Sequence, residues 1–417
     1  MNPNVSEGER PGCTLPSVTW HSAISPQRRP ILCILPPHIL KSLYSNGSEF
    51  QKQVALASIV GSAQLRGRRA LGPQVVAMRG AAESGGKQRR VFTADNESTL
   101  PGRILRGEGE APTADTAANE AYDGAGLTYD LYWDVYGRDS LDGLGMRLDS
   151  TVHYRTDYDN AFWDGQQMVY GDGDGQLFNR FTVAVDVIGH ELTHGVTQYS
   201  CNLRYSDQPG ALNESLSDIF GSLVKQRHSG QTASEADWLI GEGLFTSNVK
   251  GSGLRSMKEP GTAYDDPVLG KDPQPAHMRD YVHTTEDDGG IHINSGIPNH
   301  AFFLAATSMG GYAWEKAGKI WYLSSRDRFS ADTDFSAAAQ ITFQTAAELF
   351  GESSDEQQAV RYAWESVGLP PTPAGGSGTD TAPASSSGGC GAAVPTLLRN
   401  LFARHTNAAG PHRGVRE

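Results

Sequence analysis

Cysteine is scarce in this chain. Cys13, Cys33, Cys201 and Cys390 are its only four, and none forms a C-x-x-C pair. Four thiols in 417 residues make no disulfide framework, and without C-x-x-C a thiolate zinc site has no basis. No run of 18 apolar residues occurs, which excludes a membrane-spanning helix. The polar, Pro-interrupted start through Arg29 lacks a basic stretch followed by an apolar one, so no secretory signal peptide is visible. Positive charge is short overall, at a net −13, but unevenly so: residues 1–90 carry 12 Lys/Arg against 4 Asp/Glu. The body that follows is strongly acidic, which disfavours nucleic-acid binding because phosphates would be repelled. A basic head on an acidic body suggests intramolecular docking, or a segment removed later.

Composition divides the chain into four stretches. Residues 1–90 form a head with a disordered start, an apolar element (Ile31 to Pro37), a helix across Phe50 to Ile59 and an Arg/Gly/Ala linker ending at Arg90. Residues 91–187 read as β-rich, with strand-like runs at Thr151–Tyr154, Gln167–Tyr170 and Leu177–Phe178, and one helix around Asp115 to Tyr136. Residues 188–369 read as helical. Leu212, Leu216, Ile219, Phe220, Leu223 and Val224 fall on one helix face, Pro298 suits a first helical turn, and Ser353-x-x-Glu356 with Gly368 brackets a last helix. Residues 370–417 are a tail that opens with a low-complexity linker. Strands followed by helices indicate an α+β fold with two lobes.

The chemistry lies in Gly189-His190-Glu191-Leu192-Thr193-His194. H-E-x-x-H in a helical stretch puts both imidazoles on one face, where they can grip one Zn²⁺, and Glu191 sits about 100° round the helix as a base acting on water. Thr197 and Ser200 exclude the longer H-E-x-x-H-x-x-G-x-x-H pattern. Glu214, twenty residues after His194, lies on the polar side of the amphipathic helix, with Asp218 one turn on. Two His and one Glu leave a fourth position open, as catalytic zinc sites do, and Asp218 suits the carboxylate that holds a ligand imidazole. A further constellation, Asp287-Asp288-Gly289-Gly290-Ile291-His292, places a histidine among glycines, with Asp287 able to hold its ring.

These residues resemble the thermolysin family of zinc metallopeptidases over roughly residues 91–369. Asn160-Ala161-Phe162-Trp163, Gly171-Asp172-Gly173-Asp174-Gly175, GHELTHGVT, GALNES-SD and GG-IHINSG occur in family order. The short head with Pro36-Pro37 is similar to the protealysin-like branch, where a short propeptide precedes the protease. The resemblance implies a two-lobed fold with one zinc in the cleft, ligated by His190, His194 and Glu214, the set for which thermolysin is the standard example. It implies Glu191 as general base, Tyr205 and His292 as oxyanion donors, and Asp287 orienting His292. Asn160, Ala161 and Arg255 would bind substrate backbone. Phe178, Phe181, Val187, Ile240, Leu244 and Leu254 would line a pocket for a bulky apolar residue after the cut.

The expected activity is therefore a neutral endopeptidase on proteins and peptides, made as a self-processing zymogen with its own propeptide as partner. It is expected to be monomeric, to touch neither nucleic acid nor membrane, and to start its mature chain between residues 86 and 93. Secretion follows from the family, with a cytoplasmic location as the alternative. Calcium is doubtful. The positions matching a family calcium site hold Asp186, Asp237 and Glu242, but also Lys225 and Leu239, so the Lys225 ammonium is expected among the three carboxylates. Cys33 reads as a small core residue rather than a thiol that blocks the metal. A silent binding protein would lack a ligand, the base or an oxyanion donor, and a zinc aminopeptidase would carry a GxMEN-type motif; neither condition is met.

Overall fold

A computed structural model of the chain describes residues 32–71 and 86–372. The expected disordered start, most of the expected linker and the tail beyond Thr372 lie outside the described residues. In chain order the head supplies β1 (Leu32–Cys33), α1 (Pro37–Asn46) and α2 (Glu49–Leu71). Then come β2 (Arg89–Thr93), β3 (Arg103–Gly107), α3 (Thr116–Asp130), β4 (Leu148–Val152), β5 (Ala161–Trp163) and β6 (Met168–Tyr170). The rest is mainly helical: α4 (Val185–Gln198), α5 (Asp207–Ser229), the short pair β7 (Leu239–Ile240) and β8 (Arg255–Ser256), α6 (Asp287–Asn294), α7 (Gly296–Met309), α8 (Ala317–Asp327), α9 (Phe335–Phe350) and α10 (Asp355–Ser366).

One six-stranded mixed sheet runs in the order β1-β5-β6-β4-β2-β3. Its outermost strand on one side is β1 from the head, paired antiparallel with β5 so that Cys33 faces Phe162. The head thus completes the sheet of the β-rich region. Asp115 caps α3 by accepting the Ala118 N–H, and a π-helical turn over Leu131–Val135 extends that helix towards Tyr136. Pro at the first position of α1 fits because the missing N–H has no intrahelical partner there.

Several expectations shift. Leu177–Phe178 is no strand, only a single bridge from Phe178 to Phe245, because Asp174 ties the Gln176, Leu177 and Phe178 amides into a turn. The cap of α10 is Ser354 with Gln357, one residue later than the expected Ser353 and Glu356. The third correction concerns the junction. Arg90–Val91 does not lie in a flexible segment: β2 is clamped between antiparallel β3 and parallel β4, and Val91 is buried. The basic residues there are anchors. Lys87 pairs with Asp130, Arg90 with Asp149, and Arg89 with Glu108. The Arg89 and Arg106 guanidiniums lie 3.7 and 3.6 Å from the Tyr122 ring centroid. Likewise, the drawn boundary at 187/188 falls inside α4.

Candidate active site

The core helices α4 and α5 meet at glycines. A Cβ on Gly189 would sit 3.0 Å from the Gly221 Cα, and one on Gly221 would sit 2.4 Å from the Asp186 carbonyl oxygen. This approach is open only to glycine, and it lets side chains of the two helices converge. His190 and His194, one turn apart on α4, point at Glu214 of α5. The His190 Nε2 to Glu214 Oε2 distance is 3.4 Å and the His194 Nε2 to Glu214 Oε1 distance is 3.5 Å. All three residues are buried, and their ligating atoms lie within 4.8 Å of one another. Among the described residues this is the one group of three such side chains so arranged. His190 Nε2, His194 Nε2 and Glu214 Oε2 have no hydrogen-bond partner. Buried polar atoms left so are costly, and a divalent ion between them removes the cost; two imidazoles and a carboxylate suit zinc with one position open.

The other sides of these ligands are tied down. His190 Nδ1 meets Asp218 Oδ1 at 2.8 Å. The Arg255 Nε and Nη2 donate to the same carboxylate at 2.9 and 2.8 Å, and Asn299 Nδ2 does so at 2.8 Å. Asp218, expected from spacing, is therefore the shared anion of His190 and of Arg255. His194 Nδ1 meets both Asn213 Oδ1 and Ser217 Oγ at 2.9 Å. Asn213, Ser217 and Asn299 were missed from sequence. The first two carried a signal, standing one turn apart beside Glu214 and Asp218 on the same helix. Asn299 carried none, because its partner is 81 residues away.

Glu191 is fully buried. Its Oε2 accepts the Trp163 N–H at 3.0 Å, and its Oε1 is unpartnered. Burial pushes its carboxyl well above the usual range, the condition for a group that takes and returns a proton near neutrality. Burial also favours the neutral form of Glu214, but the nearby charges of His292, His194 and His190 outweigh it and hold that carboxyl well below the usual range. His292 Nδ1 sits 2.6 Å from Asp287 Oδ1, and its backbone N–H donates to Asp287 Oδ2. That grip depends on a left-handed run: Gly289 has φ 93°, and a Cβ there would meet Asp207 Oδ1 at 2.5 Å. Burial opposes charge on His292, yet Asp287 and Glu214 raise its imidazole to about 9. The Tyr205 hydroxyl donates to Glu214 Oε1, with its ring centroid 6.4 Å from that of His292.

Phe178, Phe181, Val187, Ile240, Leu244 and Leu254 are all buried in one apolar cluster. Ile34 of the head belongs to the same cluster and is fully buried. The head crosses the site in extended form. The Ile34 N–H donates to the Ala161 carbonyl, and the Leu35 N–H to Asn160 Oδ1. Arg255 Nη1 donates to the Ile34 carbonyl, and His292 Nε2 lies 3.1 Å from the Cys33 carbonyl. Cys33 itself is buried among Ala94, Tyr154, Tyr158, Phe162 and Val169, and it is not one of the three grouped metal-binding residues.

Two family models account for the chain from residue 72 to 369. The thermolysin metallopeptidase catalytic domain matches residues 72–198, and the thermolysin metallopeptidase alpha-helical domain matches residues 201–369. The chain belongs to the thermolysin family. Among its relatives in this family is an extracellular metalloprotease of Pectobacterium carotovorum subsp. carotovorum, 48% identical over 342 residues, which cover 82% of this chain and 97% of the relative. A thermolysin of Alicyclobacillus acidocaldarius is 41% identical over 290 residues, 67% of this chain and 51% of that one. A solved structure, the precursor of protealysin, a metalloproteinase from Serratia proteamaculans, is 50% identical with a TM-score of 0.75. That match covers 81% of this chain and 99% of the precursor. The protein is thus a thermolysin-family, protealysin-like metalloendopeptidase with a β-rich amino-terminal and a helical carboxy-terminal region. Zinc dependence is the family's property, and the His190, His194 and Glu214 group is compatible with it.

Proposed function

We propose that the chain is a secreted, self-processing zymogen of a neutral zinc endopeptidase that cuts on the amino side of bulky apolar residues. The observation carrying this reading is the path of the head. Its Cys33–Leu35 backbone is held by Ala161, Asn160, Arg255 and His292, the residues the family resemblance assigns to substrate. On that path the Cys33 carbonyl stands for a scissile carbonyl and Ile34 for the residue after the cut. The head then blocks the site as a substrate would fill it. A pocket of Phe178, Phe181, Val187, Ile240, Leu244 and Leu254 gains about 1.5–3 kcal/mol from burying a Leu, Ile or Phe side chain, which supports the specificity.

Bound zinc supplies positive charge that polarises a carbonyl and acidifies water. Glu191 takes the water proton on Oε1, steadied by the Trp163 N–H on Oε2, and delivers it to the leaving amine. His292, tethered by Asp287, donates from Nε2 to the developing oxyanion, with Tyr205 as the second donor once its hydroxyl turns from Glu214 to the oxyanion. Each is worth roughly 10²–10³ in rate, as oxyanion donors are elsewhere. Asn160 and Ala161 align the substrate strand, and Arg255 fixes the carbonyl after the cut.

The test is a blocked-peptide library digested with the processed enzyme, products read by mass spectrometry, with and without a zinc chelator. Leu, Ile, Val and Phe should dominate the new amino termini, and chelation should abolish cleavage. A profile led by Asp or Lys after the cut would overturn the specificity.

A further inference from the structure

The head carries a titratable side chain, His38, within the electrostatic reach of Arg255, Asp287 and His292, and the chemistry does not use it. His38, at the second position of α1, reaches across to the body, where its Nε2 lies 2.9 Å from the Tyr264 hydroxyl. The ring as a whole is partly exposed, but its Nδ1 is closed off from solvent and has no partner. Three charged groups of the body bear on it: Arg255 from β8, and Asp287 and His292 from α6. Asp272 stands behind Tyr264. On the head's own helix, Lys41 is engaged by Glu286 at 2.9 Å.

A neutral imidazole fits this place and an imidazolium does not. The charged ring carries an N–H on both nitrogens, and the one on Nδ1 would face no acceptor. The anion that bears on it, Asp287, is already committed to His292 through both oxygens. Protonation would add a third cation to Arg255 and a charged His292. Besides the backbone bonds of Cys33–Leu35 and the buried side chains of Ile39, Leu40 and Leu43, the other polar ties of α1 to the body are Ser42 Oγ to the Val268 carbonyl and the exposed Lys41–Glu286 pair.

We infer that His38 makes docking of the head acid-labile: gain of a proton on this side chain drives the head out of the cleft, so that acidic surroundings unmask the enzyme. The inference rests on the inhibitory role proposed for the head and adds the signal that relieves it. The direction of titration agrees. Burial first, then His292 and Arg255, lower the docked ring from 6.5 to about 4 against the pull of Asp287. A group whose docked value is depressed weakens docking as pH falls below its free value. From 6.5 free to 4 docked, the docking constant falls about 50- to 100-fold between pH 7.5 and 4.5.

The experiment uses the full-length, zinc-loaded chain with Glu191→Ala to prevent self-cleavage. Amide exchange of residues 32–46, corrected for the intrinsic pH dependence, is followed from pH 7.5 to 4.5, with exchange of α4 and α5 as the check that the body stays folded. Protection of the head should fall about 50- to 100-fold while that of α4 and α5 holds. His38→Gln, which keeps a partner for Tyr264 but cannot take the charge, should reduce the fall to less than about threefold. His38→Lys should leave the head unprotected throughout. An equal fall in wild type and His38→Gln, or no fall in either, overturns the switch while leaving the docked head intact. A head unprotected already at pH 7.5 in the wild type overturns the inhibitory reading itself.

Discussion

Replacing Lys225 by methionine should destabilise the protein in proportion to how far the pH exceeds 6. The ammonium lies 2.7 Å from Asp237 Oδ2, 2.9 Å from Glu242 Oε2 and 3.7 Å from Asp186 Oδ2. These are the three carboxylates among which it was expected. Asp186 decides the magnitude. Its side chain is 1% exposed, and besides Lys225 it is met by backbone N–H groups alone, Gly241 at 3.2 Å from Oδ2 and Val187. Burial raises its carboxyl to about 6 even with Lys225 in place. Without the lysine the carboxyl rises further and takes a proton, which caps the cost. Neutralising a group of pKa 6 at pH 7 costs about 1.4 kcal/mol, at pH 8 about 2.7, and at pH 5 almost nothing. Asp237 and Glu242 are 33% and 55% exposed, so losing those pairs adds about 0–1 kcal/mol. The sum at pH 7 is about 2 kcal/mol, or a fall of roughly 3 °C in Tm for a folded body of this size. Thermal unfolding of wild type and Lys225→Met at pH 5, 7 and 8 reads this, with zinc held constant. An equal loss at pH 5 and 8 would refute the burial argument. A large rise in wild-type Tm on adding calcium would refute the claim that lysine fills the place of a metal charge.

Two further outcomes follow from the geometry. The mature chain should begin upstream of Lys87, because Gln88 already accepts the Leu148 N–H and β2 is locked on both sides; intact-mass analysis reading a start at Val91 or Phe92 would contradict this. His153 joins Asp172 and Asp115 at 2.8 Å each, and mainly the Asp172 hydrogen bond raises its imidazole to about 9. A raised value means that the clamp's contribution is full below about 6.5 and is lost as pH rises through 9. His153→Gln should therefore lose Tm relative to wild type at pH 6.5 but converge with it by pH 10, and a constant gap would show that packing rather than charge holds the clamp.

The helix of His190 and His194 was legible because H-E-x-x-H is a local pattern read on a helical period, and Glu214 with Asp218 repeats that period on the next helix. The strand-like run at Gln167–Tyr170 likewise located β6, whereas Thr151–Tyr154 caught only the end of β4, which starts at Leu148. What stayed hidden depends on contacts remote in sequence. Asn299 and the Trp163 N–H act on α5 and α4 from elsewhere in the chain, and nothing in their neighbours announces it. The apolar Ile31–Leu35 stretch was visible, but not that it would pair with β5 about 130 residues on. Arg89 and Arg90 misled because basic composition looks like linker, whereas their stems lie in the sheet and their charges meet Glu108 and Asp149. Tyr205 was assigned as an oxyanion donor by resemblance, and that its hydroxyl is held by Glu214 is a contact that nine residues of separation do not reveal.

The central claim is that Glu191 moves the proton while His190, His194 and Glu214 hold the metal. The full-length Glu191→Ala chain, made in a protease-free host, tests it by pairing elemental analysis of zinc with turnover of an apolar-directed peptide. The account predicts one zinc per chain, loss of nearly all turnover and a chain that stays full length. Wild-type turnover in that variant would contradict it.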